Sequence, residues 1–131
     1  MTIFGALGIA GSGMTVHRKW LDAVSDNLAN INDATSTSQS AFQARYVVAQ
    51  AMGGEGGVAV AGTKLSGDTT GRVVYEPDNP LADAQGNVRY ASIDTASQMT
   101  QLIMAQRGYQ ANAAVIERAT EAYQAALQIG K

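Results

Sequence analysis

The last third of the chain, residues 94–131, constrains the fold more than any other stretch. It holds no proline and a single glycine, Gly108, before Gly130, and it is rich in Ala and Gln. Such a composition favours helix. Thr95 followed by Gln98 has the spacing of a capping box, which predicts a helix start there. Leu102, Tyr109, Ile116 and Tyr123 recur every seven residues. Met99, Ala113 and Leu127 fall on the companion row, interrupted by Gln106 and Thr120. Two rows so spaced make the stripe of a coiled-coil seam. The remaining faces are unusual, because Arg107, Glu117, Arg118 and Glu121 are the only charges in residues 95–130. A long helix with so few charges is predicted to be contacted on several sides. One small monomer does not supply that much cover.

The first segment mirrors the last. Ile3, Leu7, Ala10, Met14, His17, Leu21, Val24, Leu28 and Ile31 alternate spacings of four and three. This is a second heptad seam, about 43 Å long if fully helical. Gly5, Gly8, Gly11 and Gly13 weaken its first half, by roughly 1 kcal/mol each relative to Ala. That half is predicted to be helical only with neighbours packed on it. The helix should end within residues 30–33, where Asn and Asp compete for backbone hydrogen bonds.

Between the seams, residues 34–40 read as a polar linker. Residues 45–48 and 58–65 read as strands around a glycine turn at 53–57, with further strands at 72–76 and 88–90. Turn chemistry fills residues 77–87. The predicted class is mainly α: long N- and C-terminal helices paired as an antiparallel coiled coil, with a small β-rich insert. Residues 1–33 and 92–131 would form a discontinuous helical coiled-coil domain, and 34–91 the insert with its turns. Antiparallel pairing sets Val24 opposite Leu102, His17 near Tyr109 and Ala10 near Ile116, to roughly one turn.

Composition narrows the function. At 131 residues the chain amounts to one domain. A formal net charge of -2 argues against electrostatic capture by nucleic acid or an anionic membrane. With no Cys there is no disulfide, thiolate metal site or Cys nucleophile. His17, the only His, reads as a packed interface residue, since a metal site would need partners of suitable type. Gly8, Gly11 and Gly13 match no dinucleotide fingerprint. Asp78, Asp83 and Asp94 do not have the spacing of a Ca loop and read as turn caps. No Ser/His/Asp set occupies a nucleophile elbow. Trp20 could anchor an interface or pack in a core. The prediction is a non-enzyme with no cofactor and no metal. Residues 1–16 carry no charged side chain. They lack the basic region of a cleaved signal peptide and make a poor membrane span, so any export is expected by another route.

Two stretches then carry a resemblance. GSGMTVHRKWLDAVSDNLANIN, with its Asn-Leu-Ala-Asn signature, is similar to the first helix of the flagellar axial proteins, the rod and hook family. VVYEPDNPLADAQGNVRY, followed by a closing helix with Tyr109-Gln110-Ala111-Asn112, resembles the short proximal-rod members. The resemblance implies a structural subunit of the bacterial flagellar basal-body proximal rod. It would self-assemble helically with other rod proteins, transmit torque and form the export-channel wall. Implied partners are other flagellar rod proteins, copies of the same chain and, during secretion, the flagellar type III export apparatus. Nucleic acid and direct membrane insertion are not implied. The implied location is the rod in the periplasmic space, reached without a cleaved signal peptide. An alternative is a soluble helical adaptor or secretion-filament component that forms a coiled coil with one partner. The assembly interface expected from the two seams comprises Leu7, Met14, His17, Trp20, Leu21, Val24, Leu28, Ile31, Met99, Leu102, Tyr109, Asn112, Ile116, Tyr123 and Leu127.

Long seams and glycine-rich first turns predict an isolated subunit that is only partly helical when dilute. Circular dichroism across a concentration series tests this. Helicity should rise with concentration or with added rod subunits, and a dilute monomer that is already stably helical throughout would sink the idea.

Overall fold

The computed structural model describes residues 2–54 and 56–130. Met1, Glu55 and Lys131 lie outside the described residues, and with them small parts of the expected helical domain and glycine turn. Helix α1 spans Ile3–Ala29. Its free N-terminus is capped by Thr2, whose Oγ1 accepts the Gly5 N–H at 3.2 Å. Five strands follow: β1 Ala34–Thr35, β2 Ala44–Ala51, β3 Val58–Ser66, β4 Arg72–Tyr75 and β5 Asn87–Tyr90. Helix α2, Thr95–Ile129, closes the chain.

Asp94, rather than Thr95, caps α2. Its carboxylate accepts the N–H groups of Ala96 at 3.3 Å and Ser97 at 3.0 Å. A charged acceptor at a helix N-terminus satisfies free donors and meets the positive end of the dipole. Gln98 is therefore released from capping, and its side chain turns inward.

The strands form two antiparallel sheets. One has the order β1-β5-β4, with Ala34 opposite Tyr90 and Val74 opposite Val88. The other is the hairpin β2-β3, with an irregularity between Val48 and Ala49. The two-residue strand β1 lies in the segment read as a plain linker; it is too short for any periodicity to reveal. The turn after β4 is held by carboxylates. Asp83 accepts the Asn87 and Gln85 N–H groups at 2.9 Å and the Thr37 hydroxyl at 2.8 Å. The Asn87 N–H above all holds its carboxyl below the usual range. Glu76 accepts from the Asn79 amide and the Tyr90 hydroxyl, both at 2.8 Å, and is likewise lowered. Gly86, at φ +78°, closes this turn against Tyr75 and Pro77, a conformation and a space that suit glycine alone.

The predicted class needs correction. The chain is not a mainly α coiled coil with a small insert, but an α+β fold of two helices and two antiparallel sheets. The hairpin packs along α1, so α1 is covered by sheet as well as by helix. Two heptad rows describe two surfaces that could meet, but a seam requires those rows to be the ones that close. Here the tightest row only partly coincides with them. On α1 it keeps Ala10 and Val24 of the seam but turns through Gly13, Val16, Ala23 and Asn27, and on α2 it shifts by one residue to Gln98 and Ala105. The helices run antiparallel, with Gly13 against Asn112, His17 against Gly108 and Asn27 against Gln98. These levels lie within a turn of those set by the seam rows. The core is built from short side chains: Ala10, Ala23, Val24, Ala44, Val88 and Ala105 among them. That accounts for a fold with few aromatics.

Two glycines allow this close approach. A Cβ on Gly13 would stand 2.8 Å from the Asn112 side chain. One on Gly108 would enter the His17 ring, which stacks on Trp20 at 5.9 Å. Gly108 weakens helix propensity, yet it gives the imidazole its place. Gly108→Ala should therefore destabilise the chain by about 1 kcal/mol net, as overpacking outweighs the gain in propensity. With His17→Ala the same change should stabilise. Urea midpoints of the four chains at one fixed concentration test this; equal effects in both backgrounds would contradict it.

Candidate assembly interface

A buried polar junction ties the two helices to the hairpin. Asn27, the first residue of the Asn-Leu-Ala-Asn stretch, is fully buried, and Gln98 is 1% exposed. The Asn27 amide accepts the Arg45 N–H at 2.7 Å and donates to the Arg45 carbonyl at 2.9 Å. It also donates to Gln98 Oε1 at 2.9 Å, and Gln98 Nε2 donates to the Tyr46 hydroxyl at 3.2 Å. The junction thus joins α1, β2 and α2 with its buried amide hydrogen-bonded throughout. Asn30, the second Asn of the stretch, turns back on α1, donating to the Asp26 carbonyl at 2.8 Å. Arg45 and Asp26 approach to 3.3 Å at the surface, a contact that contributes little at such exposure.

The expected interface residues separate into three groups around this junction. Val24, 1% exposed, belongs to the internal core. Leu7, Met14, His17, Trp20, Leu21, Leu28 and Ile31 on or beside α1 are half-buried, as are Leu102, Tyr109, Asn112 and Ile116 on α2. The structure brings several of these together. His17 stacks on Trp20, the Trp20 indole donates to Gln101 Oε1 at 3.3 Å, and Asn112 donates to the Gly108 carbonyl at 2.8 Å beside Gly13. Met99, Tyr123 and Leu127 are exposed. Tyr123 packs edge-on with Phe4, ring centroids 5.7 Å apart.

Sequence reasoning missed Asn27, Gln98, Gly13 and Gly108 as positioning residues. Asn27 stood inside a quoted signature, but nothing in a signature states which strand its amide will meet. Phe4, Ile103, Met104 and Val115 are exposed apolar side chains off the seam rows. An apolar residue outside the heptad pattern was their only signal. Among the described residues no group of three or more His, Asp or Glu side chains is placed to hold a metal ion, and no helix is long and apolar enough to cross a membrane.

Two terminal helices brought together by an intervening β region, with apolar side chains left on the outer helix faces, define a subunit built to pack against others. Residues 84–129, which span β5 and α2, match the family described as flagellar basal body rod FlgEFG protein C-terminal. That gives the class, a flagellar axial subunit. Over 88% of the chain it is 37% identical to the flagellar basal-body rod protein FlgC of Salmonella typhimurium, covering 89% of that protein. It is 34% identical to the FlgC of Escherichia coli over the same shares. Against the FlgC of Bacillus subtilis it is 30% identical over the whole of both chains. The chain belongs to the FlgC family of flagellar basal-body rod proteins.

Asn27→Ala leaves the Arg45 backbone and Gln98 without their buried partner. It should cost about 3 kcal/mol. Tyr46→Phe removes only the outermost bond and should cost about 1 kcal/mol. Chemical denaturation ranks the two, and an Asn27→Ala chain no less stable than Tyr46→Phe would show the junction to be incidental.

Proposed function

We propose that this chain is a structural, non-enzymatic subunit of the proximal part of the flagellar rod. It assembles helically with copies of itself and with other rod proteins, transmits torque and contributes to the export-channel wall. It reaches the periplasmic space through the flagellar type III export apparatus, without a cleaved signal peptide. Membership of the FlgC family carries this reading. The outer faces of α2 support it: Ile103, Met104, Val115 and Leu127 are each about half exposed, on a helix with four charges in residues 95–130. Large apolar side chains left exposed along the outer faces of one helix support contacts with neighbouring subunits. The names of the relatives do not favour a private coiled-coil adaptor. Seam residues that remain half-buried in the single chain, Leu102, Tyr109 and Ile116 among them, are assigned to contacts completed on assembly.

Ile116→Asp tests the reading. It places a carboxylate on the partly buried face of α2, at a cost of about 3 kcal/mol where no partner charge is present. The variant should be made and exported, but rods should not be completed and cells should not swim. Substitution of Gly53 in the hairpin turn should be milder, because nothing lies within 4 Å of its side-chain position and an exposed turn tolerates change. Normal swimming by the Ile116→Asp strain would count against the assembly role.

A further inference from the structure

The hairpin does not seat flush on α1. Val16, His17 and Trp20 of α1 and Val47 and Ala49 of β2 line an open cleft of about 280 Å³ that no side chain among the described residues fills. None of the five carries a carboxylate, an ammonium or a guanidinium. An apolar cavity of about 150 Å³ holds one benzene-sized group, so this cleft has room for about two aliphatic side chains.

On α2, Met99 and Ile103 are 47% and 50% exposed. They stand four residues apart and so lie side by side on the helix surface. At 100° per residue Ile103 lies about 160° around the helix from the buried Ala105, so it faces away from α1. The cleft of its own chain lies between α1 and β2 and is lined by no residue of α2. The two features nevertheless stand at the same height in the fold. His17 lies against Gly108 and Trp20 bonds Gln101, which brackets the level of Ile103.

We propose that the Met99–Ile103 pair of one copy seats in the Val16–Trp20–Val47–Ala49 cleft of a second copy. The inference deepens the rod-subunit reading and rests on it: it names a pair of surfaces through which copies meet. Three observations select a second copy as the occupant. Knob and cleft are both apolar; the pair matches the free volume; and the two surfaces sit at one level of the fold. Copies can therefore lie side by side with their helices aligned. The contact joins two different patches, so it is heterologous. Repeated, it builds a ring or an open helical row rather than a closed pair.

The absence of Cys makes cross-linking clean. The full chain carrying both Ala49→Cys and Ile103→Cys, expressed in place of the unmodified chain, is oxidised mildly in isolated basal bodies. Disulfides need Cα atoms within about 7 Å, so the expected result is a ladder of dimers and higher multimers. Either single variant should give none, and the two singles expressed together should give dimers only. The proposal is overturned if the double variant enters basal bodies yet stays monomeric, links only to a protein of different mass, or closes within one chain. It is also overturned if Ala49→Cys links instead to Leu127→Cys. In all these cases the rod reading stands. A tagged but otherwise unmodified chain absent from basal bodies would overturn the rod reading itself. Should the Cys variants fail to enter, a size swap decides. Ala49→Phe fills the cleft and should abolish incorporation, and adding Ile103→Ala should restore it. No restoration overturns the proposal.

Discussion

The fold depends on one side-chain amide. Asn27 presents its oxygen and nitrogen to the N–H and carbonyl of Arg45, the same two-point exchange that neighbouring strands make in an antiparallel ladder. A helix thereby takes the place of a third strand along this part of the β2 edge, and an edge that could recruit another chain is occupied. The remaining Asn27 proton goes to Gln98 at the start of α2, a residue distant by 71 positions in the sequence. Because the group is buried, each missing partner would leave a desolvated dipole. The arrangement is consequently directional in a way that contacts among Ala and Val are not. It sets which face of α1 meets the hairpin, which meets α2, and which remains free.

Close approach follows from that orientation. With Gly13 and Gly108 at the contact, the helices meet through Asn112 and His17 rather than through interlocking Leu and Ile. Short side chains dominate the core, and the longer apolar ones lie half-buried or exposed. The distribution is inverted relative to a self-sufficient domain, in which large side chains go inside. It suits the proposed rod assembly, in which neighbours would cover the outer helix surfaces.

Much of this was legible in the sequence. The helix limits, four of the five strands and the level at which the helices pair follow from spacing, turn residues and glycine placement. The class did not follow. Heptad rows state the height of a contact well, but they leave its azimuth open by a residue, and one residue on a helix is 100°. Here Asn27 and Gln98 decide the azimuth, and a polar residue's burial cannot be read from periodicity. Gln98 also had a plausible local use as a cap, which Asp94 takes instead. The importance of the hairpin was hidden for a similar reason. Residues 44–51 and 58–66 show where strands lie, not that they lie along α1. For the interface, the residues on the seam rows were visible, whereas the glycines and the off-row Ile103 and Met104 carry no sequence pattern of their own.

The tip of the hairpin has a consequence for timing. Gly56 and Gly57 rest on Ile9 and Ser12, and the Val58 N–H bonds the Ser12 hydroxyl at 3.1 Å. This contact covers the glycine-rich opening of α1, the part least able to hold a helix unaided. The residues that steady it, Val58 and Asn112, come from the middle and the end of the chain. A polypeptide that emerges N-terminus first therefore has its earliest segment waiting on its latest. Until residues 58 and 112 are in place the opening turns lack these two contacts, so the packing of the first segment draws on most of the length of the chain.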